Sequence, residues 1–382
     1  MIADSTCGSD QASMIEHTPE SEKPLVSVVI PTCNRRAVLE RCLIALTRQT
    51  YPKFEVIVID DFSSDGTGDL LENFFSRHPA LVLIRLRNET LLGANPSRNR
   101  GILASRGDFV AFLDSDCIAE PDWLERLIGA FTSPRVAAVS GLIVDPLPGN
   151  IYELTFKGTH RLHRSGPAHR LIAGNMCVRR GPLLRHRLDE DRSGPTLDKE
   201  GRPDIRVSGR GDEEGLFLRL KAAGHEICSE PRAVVFHEHH LDGRTFFRQA
   251  FRGGRSAARL VYKYYLPHRL DMVPFLLAHL TLPAALVRAW LLAVPAFFFA
   301  GALMAVTYND LVRKGKTWFE TLRSFPVLVV YYHVRLAGYV WETLRLRLTR
   351  TGVRRIHLDE AEREVTVDSS PGKTRDRQEP TS

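Results

Sequence analysis

The sequence predicts an α/β domain on an open, mostly parallel sheet, followed by a helical apolar region. Three observations carry this. Between Ser27 and Leu113, short β-branched or aromatic runs alternate with stretches whose apolar residues recur at helical spacing. The runs stop at polar clusters, residues 31–35, 60–64 and 114–116, which gathers polar groups at strand ends. From Val273 to Val306 the pattern changes to an almost wholly apolar stretch.

A chain of 382 residues, 43% of them hydrophobic, can bury a full core and holds one domain of about 200–250 residues plus an extension. Its net charge is +7, with the cation excess largely beyond Arg232. That asymmetry points to an acidic surface such as membrane lipid or lipid-linked phosphate; no nucleic-acid motif is present. The six cysteines, Cys7, Cys33, Cys42, Cys117, Cys177 and Cys228, are dispersed and read as reduced thiols in a cytosolic compartment. Residues 1–24 contain no apolar signal-peptide core, and together with residues 359–382 they predict a disordered leader and tail.

The ordered chain opens with S-V-V-I-P-T-C-N-R, a strand and loop, and continues with Val38, Leu39, Cys42, Leu43 and Leu46 at helical spacing. A second run, F-E-V-I-V-I-D-D, ends on Asp60 and Asp61 before a Ser-Ser-Asp-Gly turn and a helix reaching about Arg77. Residues 81–86 form a third strand candidate, and residues 97–104 a short helix. The next run, G-D-F-V-A-F-L-D-S-D-C, is too short for a typical helix and reads as a buried strand. Alternation sends Asp114 and Asp116 to one side, where a hard cation such as Mg2+ or Mn2+ relieves their repulsion. In an open sheet of this kind the ligand lies beyond the carboxyl ends of the strands.

In order and spacing, V-I-P-T-C-N-R, V-I-D-D-F-S-S-D-G-T, P-S-R-N-R-G, F-L-D-S-D, G-N-M-C-V-R-R, G-D-E-E-G-L-F-L-R-L and A-V-V-F-H resemble the family 2 GT-A glycosyltransferases over roughly residues 25–240. The resemblance implies a GT-A fold and inverting transfer of a sugar from a nucleotide diphosphate donor, most simply a UDP- or GDP-sugar. It implies that Pro31, Thr32, Cys33 and Asp61 surround the base and ribose, and that Arg98 serves the nucleotide side. Asp116 and Asp114 would hold the metal, Asp114 alternatively touching the ribose, and His237 would reach the metal or diphosphate. Gly174 and Asn175 would line the sugar pocket. Asp60 and Asp65 read as turn and cap residues. Residues 189–211 read either as a loop that orders over substrate or as a surface insertion.

The family's Glu-Asp-x-Asp-Leu pattern with a later Arg, whose second acid is the catalytic base, aligns on Leu216 and Arg219. It places Glu213 at the base position with Asp212 before it, so that the two acids are exchanged and Gly215 stands where the family has a third acid. Glu213 is the preferred base and Asp212 the alternative. A phosphoacceptor domain shares an early acid pair, but Asp114 lies too far along the chain for it. A non-catalytic membrane scaffold that keeps the fold is the other reading, because the exchanged acids fall where the chemistry sits.

Beyond a domain at 25–243, Arg244, Arg248, Arg252, Arg255, Arg259 and Lys263 lie within an arc of roughly 100° on one helix, residues 244–269. Such a helix suits an anionic bilayer, although Gly253 and Gly254 weaken it by about 1 kcal/mol each. Residues 270–345 then predict a membrane-associated region, with 289–306 uncharged and cations on both flanks. Two crossings, shallow insertion and soluble helical packing are all compatible with it. The expected setting is the cytoplasmic side of the cell membrane, with a lipid-linked or growing surface-glycan acceptor.

Overall fold

The computed structural model describes residues 23–158, 165–190, 196–197, 203–204, 213–238, 241–266, 277–278, 280–281, 293–348, 356 and 358. The first half is strand–helix alternation: β1 (Val26–Thr32), α1 (Arg36–Leu46), β2 (Phe54–Asp60), α2 (Thr67–Arg77), β3 (Leu83–Arg87), α3 (Ala94–Ala104) and β4 (Phe109–Leu113). Helix α3 starts earlier than its apolar spacing predicts, because Gly93 at φ +97 turns the chain and Pro96 is tolerated in a first helical turn. Then follow β5 (Cys117–Ala119), α4 (Trp123–Gly129), β6 (Val136–Val144), α5 (Ile151–Phe156), β7 (Gly166–Pro167), β8 (Asn175–Arg179) and α6 (Arg180–Arg185). A small pair, β9 (Thr196–Leu197) and β10 (Pro203–Asp204), precedes α7 (Glu214–Ala222) and β11 (Glu226–His237).

The main sheet runs β3-β2-β1-β4-β8-β6-β11-β5, with β7 on β11. Strands β3, β2, β1 and β4 are all parallel, as crossover helices require. Beyond β4 the sheet is mixed, since β8 runs against both β4 and β6, and β5 against β11. Alternate side chains feed two cores. Val28, Ile30, Val56 and Val58 pack with Leu39, Leu43 and Leu46 of α1 on one face. Val29, Ile57, Ile59, Val110 and Phe112 pack with Ile102 of α3 and Leu216 and Leu220 of α7 on the other.

Beyond the sheet come α8 (Gly243–Lys263), α9 (Ala293–Tyr308) with a π turn at Asn309–Arg313, and α10 (Trp318–Leu348). A third core joins them to α5, where Phe246 packs against Tyr152, Phe156 and Tyr331. Helices α8 and α10 cross at two glycines. A Cβ on Gly254 would sit 1.9 Å from the Arg335 carbonyl oxygen, and one on Gly338 would sit 2.1 Å from that of Phe251. Gly254, which weakens α8 by propensity, is thus what lets the backbones meet.

The basic stripe corrects the sequence reading. Arg259 and Lys263 are buried, and Arg255 and Arg259 donate to Glu342 of α10 at 2.7 Å each, while Lys263 donates to Asp189 at 3.1 Å. The C-terminal half of the stripe therefore faces protein acids and not a bilayer; Arg244 remains exposed. Burial works against the Glu342 charge, but the hydrogen bonds and attraction of Arg345, Arg259 and Arg255 outweigh it and hold its pKa at about 2. A folded pKa below the unfolded value gives stability that is complete above the ordinary glutamate range and lost as pH falls toward 2. Glu342→Gln is expected to lower unfolding stability by about 3 kcal/mol at neutral pH and to flatten the acid limb of the stability curve, read by urea unfolding from pH 7 to 3.

Candidate active site

Because β2, β1 and β4 are parallel neighbours, their carboxyl ends open on one edge, with Thr32 paired to Asp60. Pro31 and Cys33 are half-buried there. Burial, then the charges of Asp61, Asp60 and Asp65, push the Cys33 thiol up to about 11, so it stays protonated. The Thr32 hydroxyl is buried and finds no hydrogen-bond partner among the described residues. Asp60 accepts from the Ser63 amide, and Asp65 from the Arg36 and Thr67 amides, the turn-and-cap roles their positions suggest.

Asp61 is buried and already engaged: it accepts from Asn88 Nδ2 at 2.6 Å, the Leu92 amide at 2.9 Å and the Gly93 amide at 2.7 Å. Its carboxylate thereby folds the 88–93 loop over this edge. Three donors leave one of the carboxylate's roughly four acceptor sites, on Oδ2, for a further bond such as one from a nucleotide base. Arg98 is likewise engaged with protein side chains beside Asp114. It is buried and donates from Nη2 to Asp114 Oδ1 at 2.7 Å and from Nη1 to Asn95 Oδ1 at 3.1 Å.

Asp116 and His237 meet because of strand register. β5 begins at Cys117, immediately after Asp116, and pairs antiparallel with β11 so that Cys117 faces His237. His237 Nε2 lies 3.4 Å from Asp116 Oδ2, and its Nδ1 lies 3.1 Å from Asp145 Oδ1. Burial opposes charge on the imidazole, but the two carboxylates prevail and raise its pKa to about 9. Burial likewise opposes ionisation of Asp116, yet His237 and Arg35 hold it well below the usual carboxylate range. The Arg35 guanidinium bonds directly to Asp116 Oδ2 from a half-exposed side chain.

The donor set fits a divalent cation. Asp116, Cys117 and His237 offer ligand atoms within 4.8 Å of one another. The Cys117 thiol is buried and held well above its ordinary pKa, so a carboxylate and an imidazole are the usable pair. Asp145 steadies the imidazole from its far nitrogen. Arg35 occupies the place of the positive charge that Asp116 calls for.

Gly174 and Asn175 differ from pocket-lining residues. A Cβ at Gly174 would lie 2.7 Å from Asp114 Oδ2, so its bareness admits a protein carboxylate. The Asn175 side chain is fully buried; it donates to the carbonyls of Leu142 and Ala233 at 2.9 Å each and accepts from Trp123 Nε1 at 2.8 Å, fastening β8 to its neighbours. Glu213 is half-buried at the mouth of α7, and the Arg170 guanidinium faces both Glu213 and Glu214. Burial, only partly offset by those acids, lowers the Arg170 pKa. Asp212, His239 and His240 lie outside the described residues.

Arg35, Asp145 and Arg170 are the site residues that sequence reasoning missed. Asp145 carries the signal used elsewhere, an acid at a strand end, here followed by Pro146 and Pro148.

Comparison with known proteins agrees with this architecture. Residues 27–183 match the family model for glycosyl transferase family 2. Glycosyltransferase AglE of Haloferax volcanii is 39% identical over 138 residues, 36% of this chain and 42% of that protein. The pre-mycofactocin glycosyltransferase of Mycobacterium tuberculosis is 31% identical over 268 residues, 70% of this chain and 52% of that protein. The chain thus spans about half the length of these curated relatives. The mannosyltransferase PcManGT from Pyrobaculum calidifontis, solved in complex with GDP-Man and Mn2+, superposes with a TM-score of 0.55 at 20% identity, covering 85% of this chain and 89% of that one. At that identity the likeness speaks to the fold. Residues 27–183 therefore form a glycosyl transferase family 2 domain, carried on a GT-A-type mixed α/β sheet.

Proposed function

We propose that this chain is a metal-dependent, inverting glycosyltransferase that moves a sugar from a UDP- or GDP-sugar to a hydroxyl of a lipid-linked or surface-glycan acceptor. The observation that carries the reading is the Asp116–His237 pair at the carboxyl edge of the sheet, backed by Asp145 and covered by Arg35. Asp116 and His237 would hold Mn2+ or Mg2+, which neutralises charge building on the departing diphosphate. Asp114, paired with Arg98, borders that position and suits a ribose hydroxyl. Pro31, Thr32, Cys33 and Asp61 form the wall for the base. Glu213 takes the proton from the acceptor hydroxyl, with Asp212 as the alternative, while the nucleoside diphosphate leaves from the opposite face of the sugar.

Membrane attachment belongs to the same proposal. The segment Ala293–Arg313 is long and apolar enough to cross a membrane by length and composition. Val294, Phe297, Met304, Tyr308 and Val312 are exposed along it, and Phe319, Leu322, Val330, Trp341, Leu344 and Leu348 along α10. Helix α10 packs lengthwise on α8, so it meets lipid only along its outer face. On this reading the catalytic unit, 25–243, stands on the cytoplasmic side, and the helices beyond it bring the acceptor's lipid near the site. Phe297→Glu/Met304→Glu is expected to cut partitioning onto anionic vesicles by about tenfold or more, read by flotation.

The function is tested by a donor screen in mild detergent with Mn2+ or Mg2+, reading nucleoside diphosphate release from a panel of nucleotide sugars. Release from one donor, abolished by chelator, is the expected result. Nucleotide binding without turnover on every donor, alone or with membrane lipid extract as acceptor, favours the non-catalytic scaffold.

A further inference from the structure

Gly215 occupies the place where the family pattern has its third acid, four residues before Arg219. An acid at that spacing on a helix faces the arginine directly. Gly215 is buried, and a Cβ built on it would lie 1.9 Å from Asp189 Oδ2 and 2.7 Å from the Tyr264 hydroxyl. The space of the missing side chain is therefore filled by a carboxylate from another segment.

That carboxylate is well partnered. Asp189 Oδ1 accepts from Arg219 Nη1 at 2.6 Å and from Lys263 Nζ at 3.1 Å, and Oδ2 accepts from the Tyr264 hydroxyl at 2.7 Å. Arg219 also donates to Tyr264 and to the Arg187 carbonyl. The segment itself is clamped to α3, where Asn95 Nδ2 donates to the Asp189 carbonyl at 2.8 Å and Asn99 Nδ2 to that of Leu188 at 2.9 Å. Burial opposes the Asp189 charge, but Arg219, Lys263 and Tyr264 prevail and hold its pKa below the ordinary value. Through its main-chain carbonyl Asp189 thus ties to α3, which holds Asp114 through Arg98, and through its carboxylate to α7, which opens at Glu213, and to α8.

We infer that Asp189 is the spatial replacement for the acid absent at position 215, a positioning residue that sets the first turn of α7, and hence Glu213, against α8. The part that concerns Glu213 rests on the glycosyltransferase reading. An acid at 215 and an acid at 189 exclude each other sterically and electrostatically, so the two are alternative answers to one need, a carboxylate against the Arg219 and Lys263 cations. Any side chain at 215 displaces Asp189; any neutral residue at 189 removes the carboxylate that Arg219 and Lys263 share.

The test is an exchange. Asp189→Gly and Gly215→Asp are each expected to lower the melting temperature and to reduce kcat for donor turnover roughly 10- to 100-fold, with KM for donor nearly unchanged. Asp189→Gly/Gly215→Asp is expected to recover both, since it returns one carboxylate to the same space. A double variant no better than the worse single in melting temperature overturns the exchange. Recovered melting with kcat still depressed overturns the positioning role. If the wild-type chain turns over no donor, the glycosyltransferase reading fails, and the melting arm still decides the exchange.

Discussion

Asp116→Ala is expected to abolish metal-dependent donor binding and to lower turnover by on the order of 10³-fold or more, measured as nucleoside diphosphate release and as nucleotide affinity with and without Mn2+. Asp116 is the acid that the β5–β11 register presents to His237, and its remaining partner is the mobile type of cation, an arginine arm half in solvent. Asp114, the other acid of the pair, is held by Arg98 at 2.7 Å. The variant should still fold: without Asp116 the His237 ring keeps Asp145 as partner. Unchanged Mn2+-dependent affinity in Asp116→Ala would remove this residue from the metal site.

Glu213→Gln is expected to leave donor affinity within about twofold of wild type and to reduce transfer by roughly 10²–10⁴-fold, the usual worth of a general base. The amide keeps the shape and the company of Arg170 but accepts no proton. Full activity in Glu213→Gln with loss in Asp212→Asn would give the role to Asp212.

The first half of the sheet was legible because its information is local. A strand buried on both faces shows as a short continuous run, its end as a change to polar residues, and a crossover helix as a spacing of three and four. Sequence periodicity says which face a side chain is on and nothing about what that face meets. The stripe from Arg244 to Lys263 reads as bilayer-facing until Glu342 and Asp189, acids far away in the chain, appear opposite it. Arg98, Gly174 and Asn175 share that history: their residue types invite a ligand, and the fold supplies Asp114, Asp114 again and Trp123. The meeting of Asp116 with His237 is implied by the family resemblance but leaves no mark in the periodicity, being set by how a three-residue strand pairs with a later one.

On the proposed reading, the guanidinium of Arg35 on Asp116 would make the site an exchanger of cations rather than a vacant trap. A bare acidic pocket would gather any divalent ion at hand and would repel a diphosphate that came without one. Here the acid is already neutralised by an arm attached to the chain, so a free ion must displace a tethered rival whose effective concentration is high. On the proposed reading, Asp116 would hold the ion that a donor brings with it, and the displaced Arg35 would be free to bind the phosphate chain. Loading in that order would let the nucleotide sugar and its ion enter as one species.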